Sequence, residues 1–381
     1  MLQKGENFAI KHKHVARTGQ FCQIQTGRAE LCVMRALFAA IGVIGLGVLG
    51  WLLYNIIPSS GVLARLEPKL VDQCRSVTVF PGTEDVTIDE EGGLAFISAD
   101  DRRATRAGRP VQGGIYALRL DGSDRVSKVS PDSFGEFHPH GISLWRGPDG
   151  RKRLFAINHT PGDGHKVEIF DVGFGGALMH VDTVAFGAMH SPNDVLGVGP
   201  RSFYVTNDRG FTGGIMETLE AYFALPASSL AYYDGQKGSI AVRGLTYANG
   251  VNMSADGMTI YVSEFLRRRV SVYSRNPETG ALSLLRHYPV DTGPDNIEVS
   301  ADGALWIGGH SKVFDFLKHV DDPGVVAPSH VIRVNPATGE AEDVLIDTSG
   351  VLNASSAGAA TADTLVVGSV FDDHVLVCPL K

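Results

Sequence analysis

The chain has 381 residues, a formal net charge of −8 and 45 glycines. This length allows a large hydrophobic core, arranged either as two or three domains or as one large all-β domain. The acidic balance, without a basic stripe in the body of the chain, argues against nucleic acid as a partner.

An uninterrupted uncharged run occupies residues 36–57 and is just long enough to cross a bilayer as a helix, since about 20 apolar residues are needed. Trp51 and Tyr54 lie near its end, where aromatic side chains favour the membrane interface. Lysines and arginines dominate the preceding residues. The positive-inside rule therefore places residues 1–35, a poorly structured segment, in the cytoplasm and the rest of the chain on the extracytoplasmic side, which would be periplasmic, lumenal or extracellular.

A cleaved signal peptide is the alternative to this anchor. The run is long for a signal peptide and lacks a clean cleavage site, so we predict an uncleaved signal anchor. Met34, directly before Arg35 and the apolar run, is a second candidate for the true start of the protein.

Two of the four cysteines, Cys74 and Cys378, lie near the two ends of the chain that follows the apolar run. A pair at opposite ends of an exported domain suggests one disulfide that closes the fold. The chain-entropy treatment gives about 5 kcal/mol for a loop of that size. Two independent buried thiols are the alternative.

After the anchor, short runs rich in β-branched and aromatic residues alternate with glycine-, asparagine- and aspartate-containing turns, a pattern typical of strands. A unit of polar residue, strand, tight turn and strand recurs at Glu84, Asn193, Asn249 and Asp295. Its spacing of roughly 50 residues falls in the range of propeller blades, and about 310 residues correspond to six blades. We therefore predict an all-β six-bladed β-propeller over residues 68–381, preceded by a transmembrane helix.

Acids and amides stand where these strands begin, as in the loop-to-strand stretch at residues 191–195. Hard oxygen donors on a rigid scaffold are what calcium requires, and the first strand of each blade would line a central calcium-binding tunnel. Neighbouring residues of an extended strand point in opposite directions, so Asn193 and Asp194 would serve two different centres. The alternative is that such residues only occupy turns. The donors are Glu84, Asp85, Asn193, Asp194, Asn249, Asp295 and Asn296.

Two segments depart from the strand pattern. Residues 212–225 have apolar side chains at helical spacing, which predicts a helix that is either a lid over the tunnel mouth or a surface helix packed on a blade. Residues 313–328 form a second candidate insertion.

Three of the 13 histidines carry a chemical signal. If the strands of His140 and His159 are antiparallel neighbours, the two rings could hydrogen-bond and act as a general base with its orienting partner. His310 follows a later inner strand and is expected to face the channel. A structural histidine is the alternative for each. The chain has no Gly-x-Ser-x-Gly nucleophile elbow, no His-Glu-x-x-His zinc-binding helix and no phosphate-binding loop. Among hydrolytic mechanisms, the sequence therefore favours ester hydrolysis assisted by a metal ion and a histidine base.

These motifs, in this order, resemble the paraoxonase/arylesterase family of six-bladed, calcium-dependent lactonases, which is more distantly related to gluconolactonase-like propellers. The resemblance extends from about residue 68 to residue 381. The matching segments are 84–85, 93–98, 138–143, 158–159, 193–194, 203–208, 248–250 and 295–296. The helix predicted after Asp208, in the segment that begins at residues 209–211, matches the family poorly, and residues 313–328 also differ from it.

The resemblance implies two calcium ions in the tunnel, a catalytic ion and a deeper structural ion. The catalytic ion would be held by Glu84, Asn193, Asn249, Asp295 and Asn296, and the structural ion by Asp85, Asp194 and the backbone carbonyl of Ile142. It also implies a His140–His159 dyad, a substrate-proximal His310 and a Cys74–Cys378 disulfide.

The expected function is hydrolysis of lactones and aryl esters, with a metal-polarised carbonyl attacked by water that a histidine deprotonates. Two alternatives stay open: a gluconolactonase-like sugar-lactone hydrolase and a non-catalytic, membrane-tethered propeller. The predicted partners are a small lactone or ester and, through the N-terminal helix, a membrane.

Overall fold

The computed structural model describes the backbone of residues 8–132, 135–160 and 164–380, and the side chains of these residues from Val33 onward. Residues 1–7 of the predicted N-terminal segment and Lys381 at the end of the predicted propeller domain lie outside the described residues. The chain divides into two compact units, Met1–Tyr54 and Asn55–Lys381.

Helix α1 (Phe8–Ser60) accounts for the described part of the first unit and runs into the second. Its stretch Val33–Ser60 is long and apolar enough to cross a membrane by length and composition, and large side chains such as Leu37 and Phe38 are exposed along it. A helix satisfies its own backbone hydrogen bonds, which a bilayer core requires. A signal sequence meets the same criteria, so the uncleaved anchor stays a prediction.

The second unit contains six four-stranded antiparallel sheets, which confirms the predicted six-bladed β-propeller. Five blades are consecutive four-stranded meanders, and the sixth combines the last three strands with β1. The strands are β1 (Arg75–Thr78), β2 (Asp85–Asp89), β3 (Leu94–Ala99), β4 (Gly114–Arg119), β5 (Val126–Lys128), β6 (Pro139–Arg146), β7 (Lys152–Thr160), β8 (Gly164–Val172), β9 (Leu178–Val184), β10 (Pro192–Gly197), β11 (Phe203–Asn207), β12 (Ser228–Tyr233), β13 (Gly238–Leu245), β14 (Ala248–Met253), β15 (Thr259–Glu264), β16 (Arg269–Arg275), β17 (Leu282–Pro289), β18 (Gly293–Val299), β19 (Leu305–His310), β20 (Ser329–Val334), β21 (Ala341–Asp347), β22 (Ser355–Ala360), β23 (Thr364–Ser369) and β24 (His374–Pro379).

Three further helices connect strands of the propeller: α2 (Arg102–Arg106), α3 (Gly214–Phe223) and α4 (Val313–Asp321). The helix predicted for residues 212–225 is confirmed as α3, and the candidate insertion at 313–328 contains α4.

The first strand of each blade, hereafter the inner strand, contacts the inner strands of the two adjacent blades. The contacts run from β2 to β6, β10, β14, β18 and β22 and back to β2, so the inner strands form a closed ring. Polar groups more than 200 residues apart in the chain therefore become neighbours, as the sequence analysis predicted for Glu84 and Asn296.

Apolar side chains fill the space between adjacent blades. Val86 and Ile97 of the first blade pack against Ala357 and Val366 of the sixth, and comparable clusters occur between other neighbouring blades. Strands buried on both faces explain the nearly continuous runs of valine, isoleucine and phenylalanine in the sequence.

Five of the six inner strands contain a register shift near their start. The interpretation of Pro192 to Asp194 as a loop that leads into a strand is wrong, because these residues belong to β10 and form its bulge. A β-bulge bends the strand and redirects consecutive side chains, so strict alternation of direction does not hold there. The shifts lie between Pro139 and Ile142, Pro192 and Val195, Ala248 and Val251, Pro294 and Ile297, and Ser355 and Ala357.

The two ends of the propeller are joined in the sixth blade. Strand β1 pairs with β24, and Cys74, next to β1, forms a disulfide with Cys378 of β24. The predicted bridge is confirmed, and the alternative of two free thiols is excluded. The bond links residues 304 positions apart, so it encloses nearly the whole propeller.

Candidate active site

Oxygen atoms from four inner-strand positions are buried and have no hydrogen-bond partner among the described residues. They are Glu84 Oε2, Asn193 Oδ1, Asn249 Oδ1 and Asn296 Oδ1. Leaving a buried polar group unpaired costs about 1–3 kcal/mol, and more when it is charged. Four such atoms on one ring of strands indicate a site that a cation would complete.

Direct contacts bring these positions together around the ring. Asn296 Nδ2 donates to Glu84 Oε1 at 3.1 Å, which joins β18 to the start of β2. Asp194 Oδ2 accepts from Val251 N at 2.7 Å, which joins β10 to β14 next to Asn249. Asn193, Asn249 and Asn296 therefore lie at the bulged starts of their inner strands, and Glu84 directly precedes β2, whose register is regular.

Two glycines permit the remaining approaches between inner strands. A Cβ atom at Gly141 of β6 would lie 2.4 Å from Asp194 Oδ1 and 2.5 Å from Asp194 Cα. A Cβ atom at Gly250 of β14 would lie 2.6 Å from the carbonyl oxygen of Asp295 and 2.7 Å from Asn296 Cα. Each bulge thus packs against the next with no room for a side chain.

Asp85 and Asp194 have the same environment two blades apart. Asp85 accepts from Val86 N at 2.8 Å and from Ile142 N at 2.7 Å, and Asp194 accepts from Val195 N and Val251 N, both at 2.7 Å. The contact of Ile142 is thus made through its N–H, and its carbonyl as a metal ligand stays a prediction. A carboxylate oxygen with one N–H donor keeps a lone pair for a cation.

Burial disfavours the charged forms of Asp85 and Asp194 and so raises their pKa values. Burial, then the charges of Asp194 and Glu84, raise the pKa of Asp85 well above its usual range. Burial also raises the pKa of Asp194 well above normal, although two backbone N–H groups oppose the shift. A divalent cation between the two carboxylates would favour their charged forms.

Glu84 has cationic neighbours and behaves in the opposite way. Although burial acts to raise its pKa, His140, Arg102 and the Asn296 amide lower it to about 2. Arg102 Nη2 lies 3.7 Å from the Glu84 oxygen that has no hydrogen bond. The lowered pKa of Glu84, the one acid of the unpartnered set, favours its charged form at neutral pH.

Calcium fits the donors that are present. Within the described residues, no three His, Cys, Asp or Glu side chains form a metal-binding group by themselves. The unpartnered oxygens comprise one carboxylate and three amides, and such oxygen-only sets suit calcium rather than zinc or a redox metal.

The two histidines predicted as a dyad lie in contact. His140 Nδ1 lies 2.8 Å from His159 Nε2, across the antiparallel pair of β6 and β7. The other nitrogen of His140, Nε2, lies 3.4 Å from Glu84 Oε1, and the His140 side chain is 18% exposed. A partly exposed histidine thus borders Glu84, as a base acting on water near the candidate metal ligands requires.

His310 is buried beside another candidate ligand. Its Nε2 lies 2.9 Å from Asp295 Oδ2, so this oxygen is already paired, whereas Glu84 Oε2 has no hydrogen-bond partner among the described residues. The ring stacks on Phe316 of α4 at a centroid distance of 4.1 Å and contacts the Phe265 ring at 5.8 Å. The segment around α4 therefore covers His310, and the substrate-proximal role of this histidine stays a prediction.

Comparison with known proteins identifies the family. A sequence model of the arylesterase family matches residues 72–380. The chain belongs to the arylesterase family. It is 30% identical over 329 residues to serum paraoxonase/arylesterase 2 of Gallus gallus, and this alignment covers 83% of this chain and 91% of that protein. It is also 30% identical over 337 residues to serum paraoxonase/arylesterase 1 of Homo sapiens, covering 84% and 92%.

The architecture of this arylesterase-family chain also occurs among solved structures. One described as a candidate gluconolactonase aligns with a TM-score of 0.52 and 16% identity, over 81% of this chain and 92% of that one. At this identity the likeness concerns the fold alone.

The segment that resembles the arylesterase family poorly is built into the site surroundings. Arg209 pairs with Glu217 of α3 and donates to the Tyr247 hydroxyl at 3.3 Å. The backbone N–H groups of Gly210 and Phe211 donate to Glu220. These contacts hold helix α3 against the loop that follows β11. Arg209 of this loop also contacts Tyr247, which lies two positions before Asn249 in the chain. The contacts are compatible with either predicted role of the helix, a lid or a surface helix.

One residue of the site escaped the sequence analysis. His165 Nδ1 lies 2.8 Å from His159 Nδ1, and the two residues are directly paired across the β7–β8 hairpin. Side chains of paired residues lie on one face of a sheet, so the hairpin register would have revealed this contact.

A Ser–His–Asp series also occurs in this arylesterase-family chain without serving as a nucleophile. Ser311 Oγ contacts His330 Nδ1, and His330 Nε2 lies 2.8 Å from Asp343. Ser311 is 0% exposed and His330 is 2% exposed. A nucleophile must reach its substrate, so this series joins β20, β21 and the end of β19 as a buried hydrogen-bond network.

Proposed function

We propose that the protein is a calcium-dependent hydrolase of lactones and aryl esters. The observation that carries the proposal is the set of four buried, unpartnered oxygens, one of which belongs to Glu84 beside the hydrogen-bonded His140–His159 pair. Membership of the arylesterase family supports ester or lactone hydrolysis, since the relatives are named as arylesterases.

Two groups of residues would hold two calcium ions. Bound there, calcium would supply positive charge that polarises an ester or lactone carbonyl and would stabilise the ring of inner strands. The first group is Glu84, Asn193, Asn249, Asp295 and Asn296, and the second is Asp85, Asp194 and the carbonyl of Ile142.

His140 would take a proton from the attacking water at Nε2. This nitrogen lies beside Glu84 and therefore beside a residue that would hold the first calcium ion. His159, hydrogen-bonded to Nδ1 of the same ring, would hold the imidazole in place and fix its tautomer. His310, packed on Phe316 and Phe265, would contribute to the wall around the substrate.

The proposal includes an extracytoplasmic location. A disulfide persists in oxidising compartments, and Cys74–Cys378 therefore favours a propeller outside the cytoplasm. The apolar stretch Val33–Ser60 would tether it to the membrane.

The test is a substrate panel assayed with metal-free and calcium-loaded protein. The panel contains alkyl-substituted lactones, an aldonolactone and phenyl acetate. We expect chelation to abolish hydrolysis and calcium to restore it, with alkyl lactones preferred. Preference for the aldonolactone would favour a sugar-lactone hydrolase, and a folded, calcium-bound protein that hydrolyses nothing would contradict the proposed function.

The base is tested separately with His140→Gln. We expect kcat/KM to fall by about 100-fold or more, because a positioned general base contributes on the order of 10²–10⁴-fold. Full retention of lactonase activity, over a pH profile, would remove His140 as the base.

A further inference from the structure

A third histidine extends the predicted dyad into a series of three. His140 Nδ1 contacts His159 Nε2 at 2.8 Å, and His159 Nδ1 contacts His165 Nδ1 at 2.8 Å. The ring pairs are correspondingly close, with centroids 5.0 Å and 4.9 Å apart. Both ring nitrogens of His159 are thus engaged by other histidines.

Each neutral imidazole has one N–H donor and one acceptor nitrogen. Burial, followed by the charges of neighbouring histidines and Arg102, lowers the pKa of His159 well below its usual range. Burial also lowers the pKa of His165. With these two rings neutral, each contact contains one donor and one acceptor, and the tautomers of the series depend on one another.

Two arrangements of protons satisfy both contacts. In the first, His140 Nδ1–H donates to His159 Nε2 and His159 Nδ1–H donates to His165 Nδ1. His140 Nε2 then has a free lone pair beside Glu84. In the second, His165 Nδ1–H donates to His159, and His159 Nε2–H donates to His140. The proton of His140 is then on Nε2, and this nitrogen cannot accept one from water.

We propose that His165 is a positioning residue, whose Nδ1 accepts a hydrogen bond from the Nδ1–H group of His159 and thereby selects the arrangement that leaves His140 Nε2 basic. The inference rests on the proposed function, because it assigns a role in the same reaction. It goes beyond the dyad, since the proton that decides the tautomer of His140 lies two rings away.

The surroundings of His165 permit this direction of donation. His165 is the second residue of β8, partly exposed, and the charged or titratable groups that act on it are Asp208, His140, His190 and its contact His159. Asp208 acts to raise the pKa of His165, but burial is the larger effect and lowers it, which favours the neutral ring. A neutral His165 with its single proton on Nε2 has Nδ1 free to accept from His159.

The test compares three substitutions with opposite hydrogen-bond character. His165→Asp presents acceptors only, His165→Ala removes the acceptor, and His165→Lys presents donors only and enforces the second arrangement. For His165→Asp we expect kcat/KM for a lactone to stay within about threefold of wild type. For His165→Ala we expect kcat/KM to fall by about 10-fold, and for His165→Lys by about 100-fold, as when a general base is lost or wrongly oriented. The fall should appear in kcat rather than KM.

The control is His287→Ala on the outer strand β17, where the histidine is exposed and hydrogen-bonds to Ser271. It should keep wild-type activity. All variants should keep wild-type thermal stability and calcium affinity, because His165 contacts none of the candidate ligands. Equal activity of His165→Lys and His165→Asp, or His165→Ala within about twofold of wild type, would overturn the inference.

A second measurement needs neither substrate nor variant. In the ¹⁵N spectrum of histidine-labelled wild-type protein, His159 should have its proton on Nδ1 and His165 its proton on Nε2. The opposite tautomer of His159 would overturn the inference even if the protein is an active lactonase. If no lactone is hydrolysed but His159 has the expected tautomer, the proposed function fails and the hydrogen-bond arrangement stands.

Discussion

At the scale of single residues, the site depends on amide oxygens that are buried without partners. Asn193, Asn249 and Asn296 each direct one such oxygen from a bulged inner strand. An asparagine held this way is costly to the fold unless a cation completes its coordination. The amides are therefore as informative about the metal as the acids beside them.

Asn249→Ala tests this reading. Loss of one neutral oxygen ligand should lower calcium affinity by about 10-fold or more, because calcium affinity depends on ligand number and charge. Calorimetric titration of metal-free protein measures the change. Asn276→Ala, in an exposed turn where the amide caps Glu278 N, is the matched control and should bind calcium as wild type does. Unchanged affinity of Asn249→Ala would remove this residue from the ligand set.

The raised pKa values of Asp85 and Asp194 predict how calcium stabilisation depends on pH. The folded, metal-free protein binds protons at these carboxyls more tightly than the unfolded chain does. Its free energy of unfolding therefore falls as pH rises from the unfolded pKa of about 4 through the raised values. Glu84 acts in the opposite sense and loses its contribution only as pH falls toward about 2.

Calcium should offset this loss, so its effect on Tm should be larger at pH 8 than at pH 5. Thermal unfolding with chelator and with calcium at both pH values measures the difference. An equal calcium-induced shift at the two pH values would contradict the presence of protonated acids in the metal-free site.

At the scale of elements, the bulges of the inner strands decide where the ligands point. Regular strands would direct Asn193 and Asp194 to opposite faces. In β10 the bulge instead lets Asp194 reach the backbone of β14 while Asn193 keeps an unpartnered oxygen. Gly141 of β6 contacts β10, and Gly250 of β14 contacts β18, so closely that a Cβ atom at either position would overlap the neighbouring inner strand.

Gly141→Ala should therefore destabilise the propeller and weaken calcium binding. Forcing a methyl group against Asp194 costs about 1–3 kcal/mol, as overpacking in a core does. Thermal or denaturant unfolding gives the free-energy change, and calorimetry gives the calcium affinity. Gly187→Ala, at an exposed turn with open space around the position, should be neutral. Wild-type stability and affinity in Gly141→Ala would show that β6 and β10 do not need this contact.

The candidate ligands could be selected from the sequence because acids and amides recur where the repeated strands begin, and the strands themselves could be predicted from their β-branched runs. It did not reveal the bulges, which arise from contacts between inner strands of different blades. It also missed His165, because pairing with His159 depends on the register of one hairpin. Local patterns predicted the elements, and only tertiary contacts defined the directions of their side chains.

At the scale of the whole molecule, ring closure brings the two ends of the chain together. Strand β1 completes the sixth blade, and Cys74–Cys378 covalently secures the closure. The candidate ligands extend from Glu84, directly before β2, to β18, and β22 closes the ring between β18 and β2.

Replacing both cysteines, Cys74→Ser with Cys378→Ser, should lower the free energy of unfolding by about 2–5 kcal/mol, as expected when a native disulfide is removed. Denaturant unfolding of the double variant and of reduced wild-type protein should agree. Calcium affinity of the folded double variant should be unchanged, because neither cysteine contacts the candidate ligands. Wild-type stability of the double variant would show that β1–β24 pairing alone closes the ring.

The account as a whole requires that oxygens from separate blades bind one calcium ion. A crystal structure of calcium-loaded protein tests this most directly. The predicted result is one ion within about 2.3–2.6 Å of Glu84, Asn193, Asn249 and Asn296 oxygens, the range of calcium–oxygen distances. Density without an ion at this position, with the asparagine oxygens turned to protein hydrogen-bond donors, would contradict it.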